Sequence, residues 1–239
     1  MTERTSATQR AWRTVLERIE ADLLSGALSA GDRLPSERDL AADLGLGRSS
    51  VREALRVLEV MGLLRTSTGS GPQAGATVIA TPSDGMSTLL RLQVAARGFH
   101  LDDVVDTRGV LEDAVVARLC TDPERDLSSI RGILREMDAA DLTPGEFLAL
   151  DAELHYALAE ASGNTVIAAM MAGLRTAIES YILAGAERID DWGAMAARLR
   201  TEHHAIVDAV ERGDDHARSL MHAHITGYSA AAGLTPAAY

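Results

Sequence analysis

Two sets of residues stand out by type and spacing. The first is Arg48, Arg52 and Arg56, at i, i+4 and i+8, which places three guanidinium groups on one helix face. Such groups fork to guanine O6 and N7 or to phosphate oxygens. Gly47, Ser49 and Ser50 crowd the start of the same helix, where open backbone N–H groups and small hydroxyls suit phosphate. Arg38, on the preceding helix, is placed to reach phosphate or a base edge. The second set is Asp151, His155, His203 and His224. Asp151 and His155, four apart, share the apolar face of Phe147, Leu150, Leu154 and Leu158; His203 lies in line with Leu199, Ile206 and Val210, and His224 with Leu220, Met221 and Tyr228. One carboxylate and three imidazoles facing inward make a ligand set for a borderline divalent ion, with room for water or a ligand oxygen. The plainer alternative is four separately satisfied core residues. Arg108 shares a stripe with Val104, Leu111 and Val115, with Glu112 four positions on. That pair is either a buried ion pair or a guanidinium free to hold a carboxylate bidentately.

The elements that must position these groups are mostly helical. Residues 8–25 carry Trp12, Val15, Leu16, Ile19, Leu23 and Leu24 at helical spacing. Ser36 stands where an N-cap belongs, with Asp39 three residues on, and Gly45 closes that short helix. The reading helix runs from Arg48 to about Met61, with Val51, Ala54, Leu55, Leu58 and Met61 as its apolar stripe. Residues 63–66 and 76–80 read as two short strands joined by a Gly/Ser/Pro-rich connection without charge. Helix-turn-helix plus hairpin predicts a winged helix. Beyond Thr81-Pro82 only helical patterns occur, over about 84–98, 101–121, 123–141, 144–162, 164–184, 193–212 and 214–231, with breakers between them. The expected fold is therefore mostly α: an N-terminal winged helix-turn-helix with a two-stranded wing (1–82) and a C-terminal all-α antiparallel bundle (83–239).

The net charge of −12 first argues against nucleic acid, but it is unevenly placed. Residues 1–80 hold ten Arg and ten acids and are neutral, whereas 81–239 hold 13 Arg against 25 acids and all seven His. This asymmetry indicates two domains with different jobs. Cys120 is the only cysteine, so no internal disulfide forms, which suits a reducing compartment. The polar N-terminus reads as no signal peptide, and no window approaches a membrane span.

The stretch Leu34-Pro35-Ser36-Glu37-Arg38-x-Leu40-Ala41, Gly45, Arg48-x-x-Val51-Arg52-Glu53-Ala54-Leu55, Leu58 and Gly62-Leu63 closely resembles the DNA-binding domain of the GntR superfamily of bacterial transcription regulators. The resemblance implies operator contacts at Arg38, Arg48, Ser49, Ser50 and Arg52, and entry of a wing-tip glycine, Gly69 or Gly71, into the minor groove. Arg108-x-x-x-Glu112, Asp151-x-x-Leu154-His155, Gly163-Asn164, Glu202-His203-x-x-Ile206 and Met221-x-x-His224 resemble the helical FCD effector domain of the FadR-like branch. By that resemblance Asp151, His155, His203 and His224 hold zinc, nickel or a similar divalent ion. Arg108 and the metal together bind a small organic acid, and Asn164 matches a position that lines the pocket, though its simpler role is to cap the next helix. The implied protein is a cytoplasmic homodimeric regulator, a repressor rather than an enzyme, reading a palindromic double-stranded operator. Two alternatives stay open: a metalloenzyme-like bundle fused to a DNA-binding head, and a metal-stabilised DNA-binding protein without effector.

Overall fold

A computed structural model describes residues 2–67, 75–79, 83–96 and 98–233 and divides the chain into two compact units, Met1–Met86 and Ser87–Tyr239. The first unit opens with α1 (Thr2–Leu24), longer at its start than the apolar spacing marks. α2 (Glu37–Leu44) begins where the Ser36 side chain accepts from the Asp39 N–H at 3.2 Å, and ends at Gly45, whose φ of +63° carries the chain into the left-handed region. α3 (Arg48–Val60) follows. β1 (Leu64–Ser67) and β2 (Gly75–Val78) pair antiparallel with Leu64 opposite Val78 and Ser67 opposite Gly75. Residues 31–34, read from sequence as a turn or short extended piece, lie along β2: Arg33 bridges Thr77, and the Leu34 N–H donates to Ala76 O at 2.9 Å. Val15, Ile19, Leu40, Val51, Leu55, Leu58, Leu64 and Val78 form one apolar cluster, so α1, the helix pair and the wing share a core.

α4 (Ser83–Ala95) begins at the end of the first unit, so the division falls at 86/87 and not at the expected 82/83; the helices that follow are α5 (Leu101–Thr121), α6 (Ser128–Met137), α7 (Pro144–Ala161), α8 (Thr165–Ala186), α9 (Trp192–Glu211) and α10 (His216–Ala231). α5 packs against α7, α8, α9 and α10 and is the central helix of the bundle. α6 is shorter than the 123–141 expected from sequence. Asp122 accepts from the Glu124 N–H and Asp126 from the Ser128 N–H, both at 2.9 Å, and these local bonds replace the first helical turns. At its end, Arg200 donates to the carbonyls of Met137 (2.6 Å) and Ala139 (2.8 Å) and closes the helix. α7 starts with a full capping box between Thr143 and Glu146 and has Pro144 in its first turn. These caps set the register of α7 and therefore the inward direction of Asp151 and His155.

Candidate metal centre and nucleic-acid interface

Asp151 and His155 of α7, His203 of α9 and His224 of α10 are all buried and meet at one point. One ligand atom from each lies within 4.8 Å of the others. His224 Nε2 is 3.2 Å from both His155 Nε2 and His203 Nε2, and Asp151 Oδ1 is 3.0 Å from His203 Nε2. The outer nitrogens decide the chemistry. His155 Nδ1 faces the Glu112 carboxylate, and His224 Nδ1 lies 2.9 Å from Glu202 Oε2. A carboxylate can only accept, so both Nδ1 atoms carry a proton, which leaves the Nε2 lone pairs as the atoms that can ligate at the centre. The lone pairs of His155 and His224, aimed at one another at 3.2 Å, repel unless a cation lies between them. An ion with bonds to nitrogen of 2.0–2.1 Å in tetrahedral array sets its ligands roughly 3.3 Å apart. The donor set thus fits a divalent metal. His203 differs from the other two: its Nδ1 is the one buried side-chain nitrogen or oxygen without a hydrogen-bond partner among the described residues.

The electrostatics agree. Burial raises the Asp151 carboxyl, but the His203 hydrogen bond and the neighbouring imidazoles outweigh it and hold it well below the usual carboxylate range. Burial likewise raises Glu112, and His155 and Arg108 reverse this to leave it at about 2. Burial lowers His203 to about 4 against the pull of Asp151, so its ring is neutral near pH 7 and able to ligate.

Arg108 of α5 donates from Nε to Glu112 Oε1 at 2.7 Å, while the other oxygen of Glu112 takes His155. Sequence reasoning paired Glu112 with Arg108 alone. The link to His155, 43 positions away, carries no periodic signal, nor does the support of His224 by Glu202. Arg108 lines two adjoining pockets. One, about 570 Å³ including its mouth, is bounded by His155, Tyr156, Leu148, Met171 and Arg175. The other, about 490 Å³, is bounded by Asp151, His224, Tyr181, Tyr228 and Ser229. Asn164 is placed at the N-cap of α8, where its Oδ1 accepts from the N–H groups of Val166 and Ile167 at 3.1 and 3.2 Å, and it lines neither pocket. Among the remaining histidines, His100, His216 and His222 are exposed and His204 contacts Asp138 at 3.1 Å.

In the first unit, Arg38, Arg48, Arg52 and Arg56 line one open groove together with Arg33, Glu37, Thr66 and Ser67. Gly47 caps α3 without any side-chain bond, leaving the helix N-terminus open beside exposed Arg48 and Ser49 and half-buried Ser50. Spacing did not single out Arg33 or Glu37 for this surface; the first arrives through its bridge to the wing and the second through the turn between α2 and α3. Gly69 and Gly71 lie outside the described residues.

Residues 12–72 match the model for bacterial regulatory proteins of the gntR family, and residues 103–227 match the FCD domain. The chain is 32% identical over 211 residues to the HTH-type transcriptional regulator LutR of Bacillus subtilis, covering 84% of this chain and 92% of that one. It is 27% identical over 225 residues to the HTH-type transcriptional repressor NanR of Enterobacter (90% and 83% covered), and 27% identical over 202 residues to the Glc operon transcriptional activator of Escherichia coli (82% and 78% covered). A solved structure, Streptococcus agalactiae GntR, shares the fold with a TM-score of 0.63 at 22% identity, over 92% of this chain and 97% of that one. A winged helix-turn-helix followed by this helical domain, with matches of this extent, places the chain in the GntR family of DNA-binding transcription regulators, in the FadR-like branch that carries an FCD effector domain.

Proposed function

We propose that this regulator is a cytoplasmic homodimeric repressor whose 1–82 region reads a palindromic operator and whose 83–239 region binds a small carboxylate at a metal centre. The observation that carries this reading is the convergence of three imidazole Nε2 atoms and the Asp151 carboxylate beside pockets that Arg108 also lines. A charge count supports an anionic ligand. Asp151, Glu112 and Glu202 contribute three negative charges; Arg108 and Arg198, the latter 2.8 Å from Glu202, contribute two positive ones. When bound, a divalent ion, for which the His-rich set favours zinc over harder metals, supplies two further charges and open coordination positions. The centre then carries one net positive charge, which a single carboxylate neutralises. Arg108 would orient that carboxylate through the guanidinium atoms not engaged by Glu112, and the apolar walls at Leu148 and Met171 would exclude water.

In a dimer, two α3 helices would enter major grooves about 34 Å apart, one turn of duplex. Ligand affinity that differs between the operator-matched geometry and another geometry sets the response. We adopt repression as the sense of that response, as the name of one relative states for that protein. The test is a screen of small organic acids on the full chain by thermal shift with zinc added, followed by mobility-shift assays with genomic fragments. We expect a carboxylate to raise the melting temperature of wild type and release DNA, and Arg108→Met to abolish the shift. A panel of acids without effect on either would overturn effector control. Unchanged zinc content in His203→Ala would overturn the metal assignment.

A further inference from the structure

The arginines of the DNA-facing groove are not equivalent. Arg48 makes no hydrogen bond or ion pair among the described residues, and Arg56 stays 3.9 Å from Glu53. Arg38 bonds its chain neighbour Asp39, at 3.2 Å, and no other side chain among the described residues. Of Arg38, Arg48, Arg52 and Arg56, Arg52 is the one held across elements among the described residues. Glu37, in the first turn of α2, grips it from 15 positions away: Nε lies 3.1 Å from Oε1 and 3.0 Å from Oε2, and Nη2 lies 2.8 Å from Oε2.

Glu37 is also the one acid among the described residues lining a groove that contains Arg33, Arg38, Arg48, Arg52 and Arg56. On a surface that approaches phosphates, a carboxylate lowers the affinity. Two structural roles explain it poorly. Asp39 already places a negative charge in the first turn of α2, so the helix dipole does not need a second. The pair is exposed, with side-chain exposures of 56% for Arg52 and 36% for Glu37, and exposed pairs add little stability.

The geometry supplies a role. Both carboxylate oxygens lie on the Nε/Nη2 edge of the guanidinium. The end-on fork of Nη1 and Nη2 is left for another acceptor pair, and guanine O6 and N7 form such a pair in the major groove. The carboxylate repels a phosphate that would otherwise compete for Arg52, and it holds a side chain that would lose rotamer freedom on binding. We propose that Glu37 is a specificity-determining positioning residue: it fixes Arg52 end-on so that this arginine reads a guanine edge instead of a phosphate. The proposal rests on the DNA-reading assignment of α3 and extends it to a residue on α2.

The test is selection of binding sites from a random duplex library by the full-length chain, for wild type, Glu37→Gln, Arg52→Ala and Arg52→Lys, each first checked for native far-UV circular dichroism. Wild type should return a palindrome with one guanine per half-site whose preference Arg52→Ala removes. Glu37→Gln should lose preference at that same position, by roughly 5- to 100-fold, the range of one bidentate contact, and keep the other positions. Its affinity for unrelated duplex should hold or rise, because a negative charge has left the groove. Arg52→Lys, which keeps charge without the fork, should behave like Glu37→Gln and keeps the proposal testable should the latter misfold. Full preference in Glu37→Gln, or equal loss at every position, overturns the proposal. So does an Arg52→Ala variant that weakens all sequences alike with a shallower salt slope, since Arg52 would then be a phosphate contact. A wild type that selects no sequence would instead overturn the DNA-reading assignment.

Discussion

Replacing Glu112 by Gln isolates the residue that links Arg108 to the histidine cluster. Gln has nearly the same shape but no charge. In the structure the Glu112 carboxylate is 1% exposed, accepts from Arg108 Nε at 2.7 Å and pairs with His155 Nδ1. Two magnitudes follow. A carboxylate held at about 2 rather than its ordinary 4.5 has its charged form favoured in the fold by about 3 kcal/mol. Removing one partner of a buried pair costs about 3–5 kcal/mol by comparison, and Arg108, at 13% exposure, belongs near the lower end. We therefore expect the metal-free variant to lose about 3 kcal/mol, or roughly 6–12 °C in melting temperature for a domain of this size. Gln offers one acceptor oxygen where Glu112 uses two, for Arg108 and His155, so loss of the charged acceptor at the His155 ring should weaken metal binding by about 10–100-fold. Because the folded carboxyl lies below its unfolded value, its contribution is complete above about 4.5 and fades as pH falls toward 2. The gap between wild type and variant should narrow over that range. Differential scanning calorimetry of the metal-free chain against pH, with zinc affinity from chelator competition, measures both. A variant with wild-type zinc affinity would show that Glu112 does not set the His155 tautomer and would refute the reasoning about lone pairs.

Three further outcomes are expected. Zinc affinity should fall as pH drops toward about 4, the value to which burial lowers His203, because protons then compete for its ring, and chelator competition between about pH 4 and 8 reads this directly; a flat profile would argue against a three-histidine site. Phe147→Ala should cost about 3–5 kcal/mol, since this fully buried ring packs edge-on to Trp192 at 5.9 Å and under the Arg200 guanidinium at 5.2 Å, and denaturant unfolding of the bundle reads the loss. Arg48→Ala should weaken binding to operator and unrelated duplex in mobility-shift assays, with no stability change beyond about 0.5 kcal/mol, because Arg48 is exposed and makes no hydrogen bond or ion pair among the described residues.

Much of this was legible in the sequence because it depends on local rules. The Ser36 cap, the Gly45 stop and the Val51, Ala54, Leu55 and Leu58 stripe of α3 are set by neighbours within four residues and appear as read, whereas Met61, expected at the end of that stripe, caps the helix and is exposed. The span of α5 was recovered to the residue, since His100 and Asp122 bracket an unbroken pattern. The inward direction of Asp151, His155, His203 and His224 followed from helical phase alone. The early turns of α6 were misread because Asp122 and Asp126 bond their own backbone, a competition that periodicity does not register.

Helical phase tells which way a side chain points, but not which neighbour it meets. Sequence therefore determined two domains, the arginine face and four inward-facing ligand candidates. Tertiary structure decided that those four share one centre, that Glu112 and Glu202 turn two of their rings, and that Glu37 is the acid gripping Arg52. The Glu37–Arg52, Glu202–His224 and Glu112–His155 links join different helices across 15, 22 and 43 positions, and His155 meets His224 across 69. The distances that matter there, near 3 Å, are set by the packing of whole helices, and no pattern of residue spacing encodes them.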